Sequence, residues 1–214
     1  MDKLIYIIRH GQTDHNRHRI IQGSGVDSDL NEIGRIQRRQ FFDHYKDEVR
    51  FDIIIHSALK RTRQTVLPFI ESGVPALSDA RINEMSWGDY EGQKGTPELI
   101  YLYEKVIEFW STGDFDARLS NAESAQQLHD RLHDFVEDLK KRKEKTILVC
   151  SHGRALRCLT CILKGEHLRE MEKYPLSNTG LYLVEQVGVQ MTVLKENDLS
   201  HRTELPAEIR AALL

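Results

Sequence analysis

Leu4-Ile5-Tyr6-Ile7-Ile8, followed at once by Arg9-His10-Gly11-Gln12-Thr13, sets how the rest of the chain is read. A five-residue apolar run is long enough for a buried strand and too short for a helix. The abrupt change to arginine, histidine and glycine marks a turn at its carboxyl end. Two later stretches repeat the pattern. Asp52 to His56 carries Ile53-Ile54-Ile55 and leads into Ser57-Ala58-Leu59-Lys60-Arg61; Thr146 to Cys150 carries Ile147-Leu148-Val149 and leads into Ser151-His152-Gly153-Arg154. Longer amphipathic segments lie between these runs, and that alternation predicts an α/β fold.

Helix signals fill the intervals. Asn31 is an N-cap candidate for a helix from Glu32 to Val49, and Gly73 ends one from Ala58 to Ser72. Thr96-Pro97-Glu98 reads as cap, first-turn proline and first-turn acid for a helix to about Trp110. Ser120-Asn121-Ala122-Glu123 fits a capping box, followed by an apolar face of Ala125, Leu128, Leu132, Phe135 and Leu139. Arg154 to Leu163 is a further helix. Leu181 to Glu185 and Gln190 to Leu194, joined across Val187-Gly188-Val189, predict a hairpin at a sheet edge.

The chain has 214 residues, 40% of them hydrophobic, and a formal net charge of −3. At about 150 residues per domain, this favours one full-sized domain with an elaboration. Acidic and basic residues are interleaved, which argues against a nucleic-acid or anionic-membrane surface. No apolar run approaches the ~20 residues of a membrane helix or the core of a signal peptide. Cys150, Cys158 and Cys161 form an odd set inside apolar segments, a reduced-thiol pattern that predicts a cytoplasmic protein.

If the three early strands are parallel, their carboxyl ends share one sheet edge, where open α/β sheets place their ligand crevice. Two His-Gly turns, Arg9 and Arg61 then converge. Arginine forks and helix N-termini suit a tetrahedral dianion, so the edge reads as a phosphate site. No nucleotide P-loop is present, Gly23-Ser24-Gly25 does not follow a convincing strand, and no carboxylate cluster suggests a magnesium pair. No metal and no cofactor are expected; a histidine nucleophile and a carboxylic proton donor would suffice. His129 and His133 have metal-ligand spacing, but they border an apolar helical stripe and read as a solvated face. Cys158 and Cys161 read as packing rather than a redox pair. Trp87, Tyr101, Tyr103 and Trp110 read equally well as a substrate lid or an aromatic satellite core.

Arg9-His10-Gly11-Gln12-Thr13-Asp14-His15-Asn16 resembles the R-H-G-x-[ST]-x-x-N motif of the histidine phosphatase superfamily, which includes the cofactor-dependent phosphoglycerate mutases. Leu30-Asn31-Glu32-Ile33-Gly34, the Ser57-to-Thr65 segment, the acid loop from Asn83 to Gly92, Ser151-His152-Gly153 and Asn178-Thr179 resemble its further motifs in order. The resemblance implies a phosphoglycerate mutase-like fold: one three-layer α/β/α sandwich domain over 1–214, with a mostly parallel sheet and a lid at about 85–121. It also implies His10 as the nucleophile that becomes phosphorylated, and Arg9, Arg61 and His152 as the phosphoryl-binding groups. Glu84 would be the acid, then the base for water. Asn16, Thr13, Gln22 and the Gly11 and Gly153 amides would support the substrate.

Three activities compete: a metal-independent phosphomonoesterase acting on a small phosphorylated metabolite, a phosphoglycerate mutase-type isomerase, and a non-catalytic phosphoryl-ligand binder. The mutases usually carry an arginine after the acid-loop glutamate, where this chain has Met85, and an asparagine where it has Arg154. Lys94, Lys105 and Arg118 form no basic cluster in the segment 93–121. An inactive binder would normally have lost His10 or Glu84. The phosphatase is therefore the expectation. The oligomeric state is left open, with a homodimer among the options.

Overall fold

Alternate side chains of the early strands serve two cores, which is what period-two geometry requires of strands buried on both faces. The computed structural model describes residues 2–204. Its strands are β1 (Lys3–Arg9), β2 (Ile53–His56), β3 (Ala76–Ser78), β4 (Thr146–Ser151), β5 (Leu181–Val187) and β6 (Gln190–Asp198). Its helices are α1 (Asp14–His18), α2 (Glu32–Tyr45), α3 (Lys60–Glu71), α4 (Pro97–Thr112), α5 (Ala125–Lys141) and α6 (Gly153–Lys164). Short 3-10 turns lie at Ala80–Ile82, Gly88–Tyr90 and Leu168–Lys173.

The six strands form one sheet in the order β3-β2-β4-β1-β5-β6. The pairs β1–β4, β2–β4 and β2–β3 are parallel, and β5 lies antiparallel to β1 and to β6. Ile5, Ile7, Ile53, Ile55, Ile147 and Val149 face α5 and α6, where Leu128, Leu132, Leu156 and Leu159 complete one core. Ile8, Ile54, Leu148 and Cys150 face the other way, onto Phe41 and Tyr45 of α2 and Val66 and Phe69 of α3. The three-layer α/β/α sandwich with a mostly parallel sheet is thus the observed architecture. No helix among the described residues is long and apolar enough to cross a membrane.

Several local readings hold. Thr96 caps α4 with Pro97 in its first turn, and Asn31 caps α2 by accepting from the Gly34 amide at 2.9 Å. The β5–β6 hairpin turns on Gly188, whose φ of +60° suits the first position of a two-residue hairpin loop. Others are corrected. α2 ends at Tyr45, four residues short of Val49, and α3 begins at Lys60 because the Ala58 amide instead donates to Asn83 Oδ1 at 2.9 Å.

The capping box at Ser120–Glu123 does not form. Ser120 and Asn121 donate to the Asp89 carboxylate, and Glu123 is drawn into an ion pair with Arg131 at 2.6 Å. α5 is capped one turn later, where Ser124 accepts from the Gln127 amide and the Gln127 side chain accepts from the Ser124 amide. β3 has no sequence signal: three residues, none of them fully buried, pair with β2 at the margin of the described sheet.

Candidate active site

β1, β2 and β4 run in the same direction, so the turns after Arg9, His56 and Ser151 open on one edge of the sheet. Gly11 lets the first turn approach the start of α2: a Cβ there would lie 2.7 Å from the Gly34 carbonyl oxygen. His10 and His152 meet with ring centroids 5.2 Å apart, each no more than 2% exposed.

The tautomer of His10 follows from its partner. Its Nδ1 lies 2.7 Å from the Gly11 carbonyl oxygen, which can only accept, so Nδ1 carries the hydrogen. In the neutral ring, Nε2 keeps its lone pair. Burial, and then the Arg61 and Arg9 charges, hold the His10 pKa well below its ordinary value, so the neutral form dominates at physiological pH. Burial and the same arginines depress His152 likewise. His152 accepts from Arg61 Nε at 3.1 Å through Nδ1, and its Nε2–H donates to Ser57 Oγ at 2.7 Å. Both of its nitrogens are therefore engaged by protein.

Arg61, in the first turn of α3, is fully buried and donates to the Val26 and Gly23 carbonyls at 2.6 and 3.3 Å. Burial lowers its pKa to about 10, which leaves it charged at neutral pH. Arg9 donates through Nη1 to the Leu176 carbonyl at 2.8 Å, while its buried Nε–H has no partner among the described residues. Gly153 brings the α6 N-terminus against this group: a Cβ on it would sit 3.6 Å from Arg9 Nε and 3.5 Å from Glu84 Oε2. An unpartnered buried donor beside a helix N-terminus and a second guanidinium favours an anion.

Glu84 closes the group. Its Oε1 accepts from the Met85 and Ala155 amides at 2.9 and 3.0 Å, and its Oε2 from the Arg154 amide at 3.2 Å. The acid loop is fastened by Arg131 of α5, which donates to the Arg81, Asn83 and Glu84 carbonyls and to the Glu123 carboxylate. Glu123 in turn accepts from the Ser86 amide at 3.3 Å. Arg131 carried no signal in the sequence, because the acid-loop carbonyls it holds lie 47 to 50 residues away.

The supporting residues fall into two sets. Gln22 joins Thr13 to Arg61, with its amide nitrogen on Thr13 Oγ1 at 2.7 Å and its oxygen on Arg61 Nε at 2.8 Å. The Asn16 oxygen accepts from the Thr13 amide and from Asn178 Nδ2, which places Asn16 at the same turn as His10. The Gly11 amide is committed elsewhere, donating to Thr65 Oγ1 at 2.9 Å. Thr65 and Asn178 both contact the His10–Gly11 peptide, and neither was singled out as a site residue from the sequence.

A cleft of about 290 Å³ opens over Arg9, Glu84 and Gly153. Its far wall is Arg154, whose guanidinium lies 5.6–5.8 Å from the Trp87, Tyr103 and Trp110 ring centroids. Arg154 also pairs with Glu172 and the Tyr103 hydroxyl. Trp110 belongs to the core, Trp87 belongs to it while also lining the cleft beside Tyr103, and Tyr101 is exposed, so the four aromatics divide between the two readings.

Elsewhere, His129 and His133 stack at 5.8 Å on the outer side of α5, and no group of three metal-ligating side chains occurs among the described residues. Cys158 and Cys161 are buried free thiols; burial pushes Cys161 up to about 12 and Cys158 in the same direction. They are inert packing groups.

Comparison with known proteins gives a consistent family. The model described as histidine phosphatase superfamily (branch 1) matches residues 5–199. The chain is 29% identical over 204 residues to a putative phosphoserine phosphatase 2 of Hydrogenobacter thermophilus, covering 95% of this chain and 99% of that protein. It is 33% identical over 163 residues to a probable phosphoglycerate mutase GpmB of Shigella dysenteriae, covering 75% and 74%. The solved structure of Bacillus stearothermophilus YhfR superposes with a TM-score of 0.80 at 26% identity, covering 93% of this chain and 98% of that one.

Proposed function

The chain belongs to the histidine phosphatase superfamily, branch 1, and from that premise we propose that it is a phosphomonoesterase working through a phosphohistidine. The observation that carries the proposal is the His10 hydrogen bond to the Gly11 carbonyl, which leaves Nε2 unprotonated in the field of the Arg9 guanidinium and the fully buried Arg61 guanidinium. Nε2 attacks phosphorus, and the ester P–O bond breaks in line. Arg9 and Arg61 offset the charge that develops on the phosphoryl oxygens, usually the largest catalytic contribution. Protonated Glu84 gives its proton to the leaving alkoxide. Water, deprotonated by Glu84, then attacks the phosphohistidine; the P–N bond breaks, and phosphate departs with His10 restored. The chemistry needs no group beyond these side chains.

The substrate is a small phosphorylated metabolite, in keeping with the cleft volume of about 290 Å³ and with the phosphoserine named for one relative. A mutase is the second reading, favoured by the relative named as a probable phosphoglycerate mutase. Hydrolysis is preferred because cations of α4, of the segment between α4 and α5, and of α6 are turned to other work. Lys105 pairs with Glu108 at 2.7 Å and Arg118 donates to Gln127 at 3.2 Å, while Arg154 is held by Glu172. Among the described residues, these cations form no free basic cluster to retain a phosphorylated acid during its reorientation.

The test is hydrolysis of an aryl phosphate in chelator, with isomerisation of 3-phosphoglycerate assayed in parallel. His10→Ala should abolish hydrolysis. Glu84→Gln should slow alkyl phosphates by about 10²–10⁴-fold and aryl phosphates far less, because an aryl oxide leaves without a proton. Equal losses on both esters would remove Glu84 from the acid role. Isomerisation outpacing hydrolysis would establish the mutase.

A further inference from the structure

Thr179 has a φ of +54°, a left-handed conformation that is a genuine outlier for a β-branched residue. Such strain persists only where the surroundings over-determine it. Here the surroundings are specific. The Thr179 amide donates to the Arg9 carbonyl at 3.0 Å, and its hydroxyl meets His201 Nε2 at 3.2 Å and Arg202 Nε at 3.4 Å. Arg202 also donates through Nη2 to the Asn178 carbonyl. His201 is buried against Phe41 of α2, with ring centroids 5.1 Å apart. Gln40 of α2 holds the same segment by donating to Thr203.

Asn178 is the consequence of that geometry. Its Nδ2 donates to the His10 carbonyl at 2.9 Å and approaches Asn16 Oδ1 at 3.3 Å. The Gly11 amide, on the other side of the same peptide plane, donates to Thr65 Oγ1. The His10–Gly11 peptide is therefore gripped at both polar ends. The Gly11 carbonyl that sets the His10 tautomer follows directly from it.

We propose that His201 and Arg202 are positioning residues: they hold Thr179 in its left-handed conformation so that Asn178 fixes the His10–Gly11 peptide and aims Nε2. Neither residue touches the cleft over Arg9 and Glu84; they act through Thr179 and Asn178. The catalytic consequence rests on the phosphatase reading, whereas the conformational consequence stands apart from it.

The experiment compares Arg202→Ala, Arg202→Lys and the double variant Thr179→Gly/Arg202→Ala, with kcat expressed per folded molecule. A misaimed nucleophile costs up to about 10²-fold, so Arg202→Ala should lose at least about tenfold in kcat with KM little changed, and Arg202→Lys should recover part of it. Glycine adopts a positive φ without strain, so the double variant should be faster than Arg202→Ala alone. A purely structural tail would lower the melting temperature without this recovery. An unchanged kcat in Arg202→Ala, or a double variant no faster than the single, would overturn the proposal.

The nitrogen resonances of the His10 imidazole give a second readout that requires no turnover. Arg202→Ala should shift them away from the Nδ1–H tautomer, and the double variant should bring them back. A wild type that hydrolyses nothing would sink the phosphatase reading while this spectrum still decides the clamp. Unmoved resonances would refute it.

Discussion

The Nδ1–H bond from His10 to the Gly11 carbonyl and the two flanking guanidinium groups act in the same direction. The hydrogen bond leaves Nε2 as the free lone pair, and the arginines oppose a second proton. Protonation of Nε2 would abolish attack, so the acid limb of kcat/KM should lie well below pH 6.5, the ordinary histidine value. A pH profile of aryl phosphate hydrolysis checks this. A limb at 6.5 or above would mean that His10 is not shielded as described. The gathering of His10, Arg61 and His152 at one sheet edge was legible in the sequence, because each closely follows a strand, whereas Glu84 stood out only through the resemblance of its loop to the family's acid loop. Asn178 appeared only as part of a motif. Its role depends on β5 running antiparallel, which brings the start of that strand, rather than its end, to the catalytic edge.

Among the secondary-structure elements, burial decides what the sequence reveals. β1, β2 and β4 are covered on both faces, so their apolar runs stand out, whereas β3 is three incompletely buried residues and carries no pattern. The start of α5 shows how a correct local rule meets a tertiary competitor. Ser120 and Glu123 have capping-box spacing, but the Glu123–Arg131 pair and the Asp89 contacts hold them elsewhere, and Ser124 with Gln127 takes over. Ser124→Ala should therefore destabilise the protein by about 0.5–2 kcal/mol, the usual cost of losing an N-cap. Ser120→Ala leaves the helix cap intact and should cost less. Urea unfolding of the two variants decides between the assignments; a larger loss at Ser120 would reverse them.

At the scale of the whole molecule, buried neutral histidines make the fold sensitive to acid. His10, His56, His152 and His201 all have pKa values lowered by burial, with His201 at about 4. Below pH 6.5 the unfolded chain binds protons that the folded one refuses. Their stabilisation is thus full above that pH and declines as the pH falls toward the folded values. For His201 the window runs from 6.5 down to about 4. The midpoint of urea unfolding should fall between pH 7 and pH 5, before most carboxylates titrate, and a flat midpoint over that range would contradict the linkage.

The strand directions carry one more consequence, for handling the protein. β1 begins on the edge of the sheet opposite the cleft, whereas β6 runs antiparallel to β5 and finishes at Asp198, paired with Leu181 on the cleft side. A handle placed ahead of Lys3 projects from the rear of the sheet. Molecules tethered to a solid support by that handle present their open mouths to the solution.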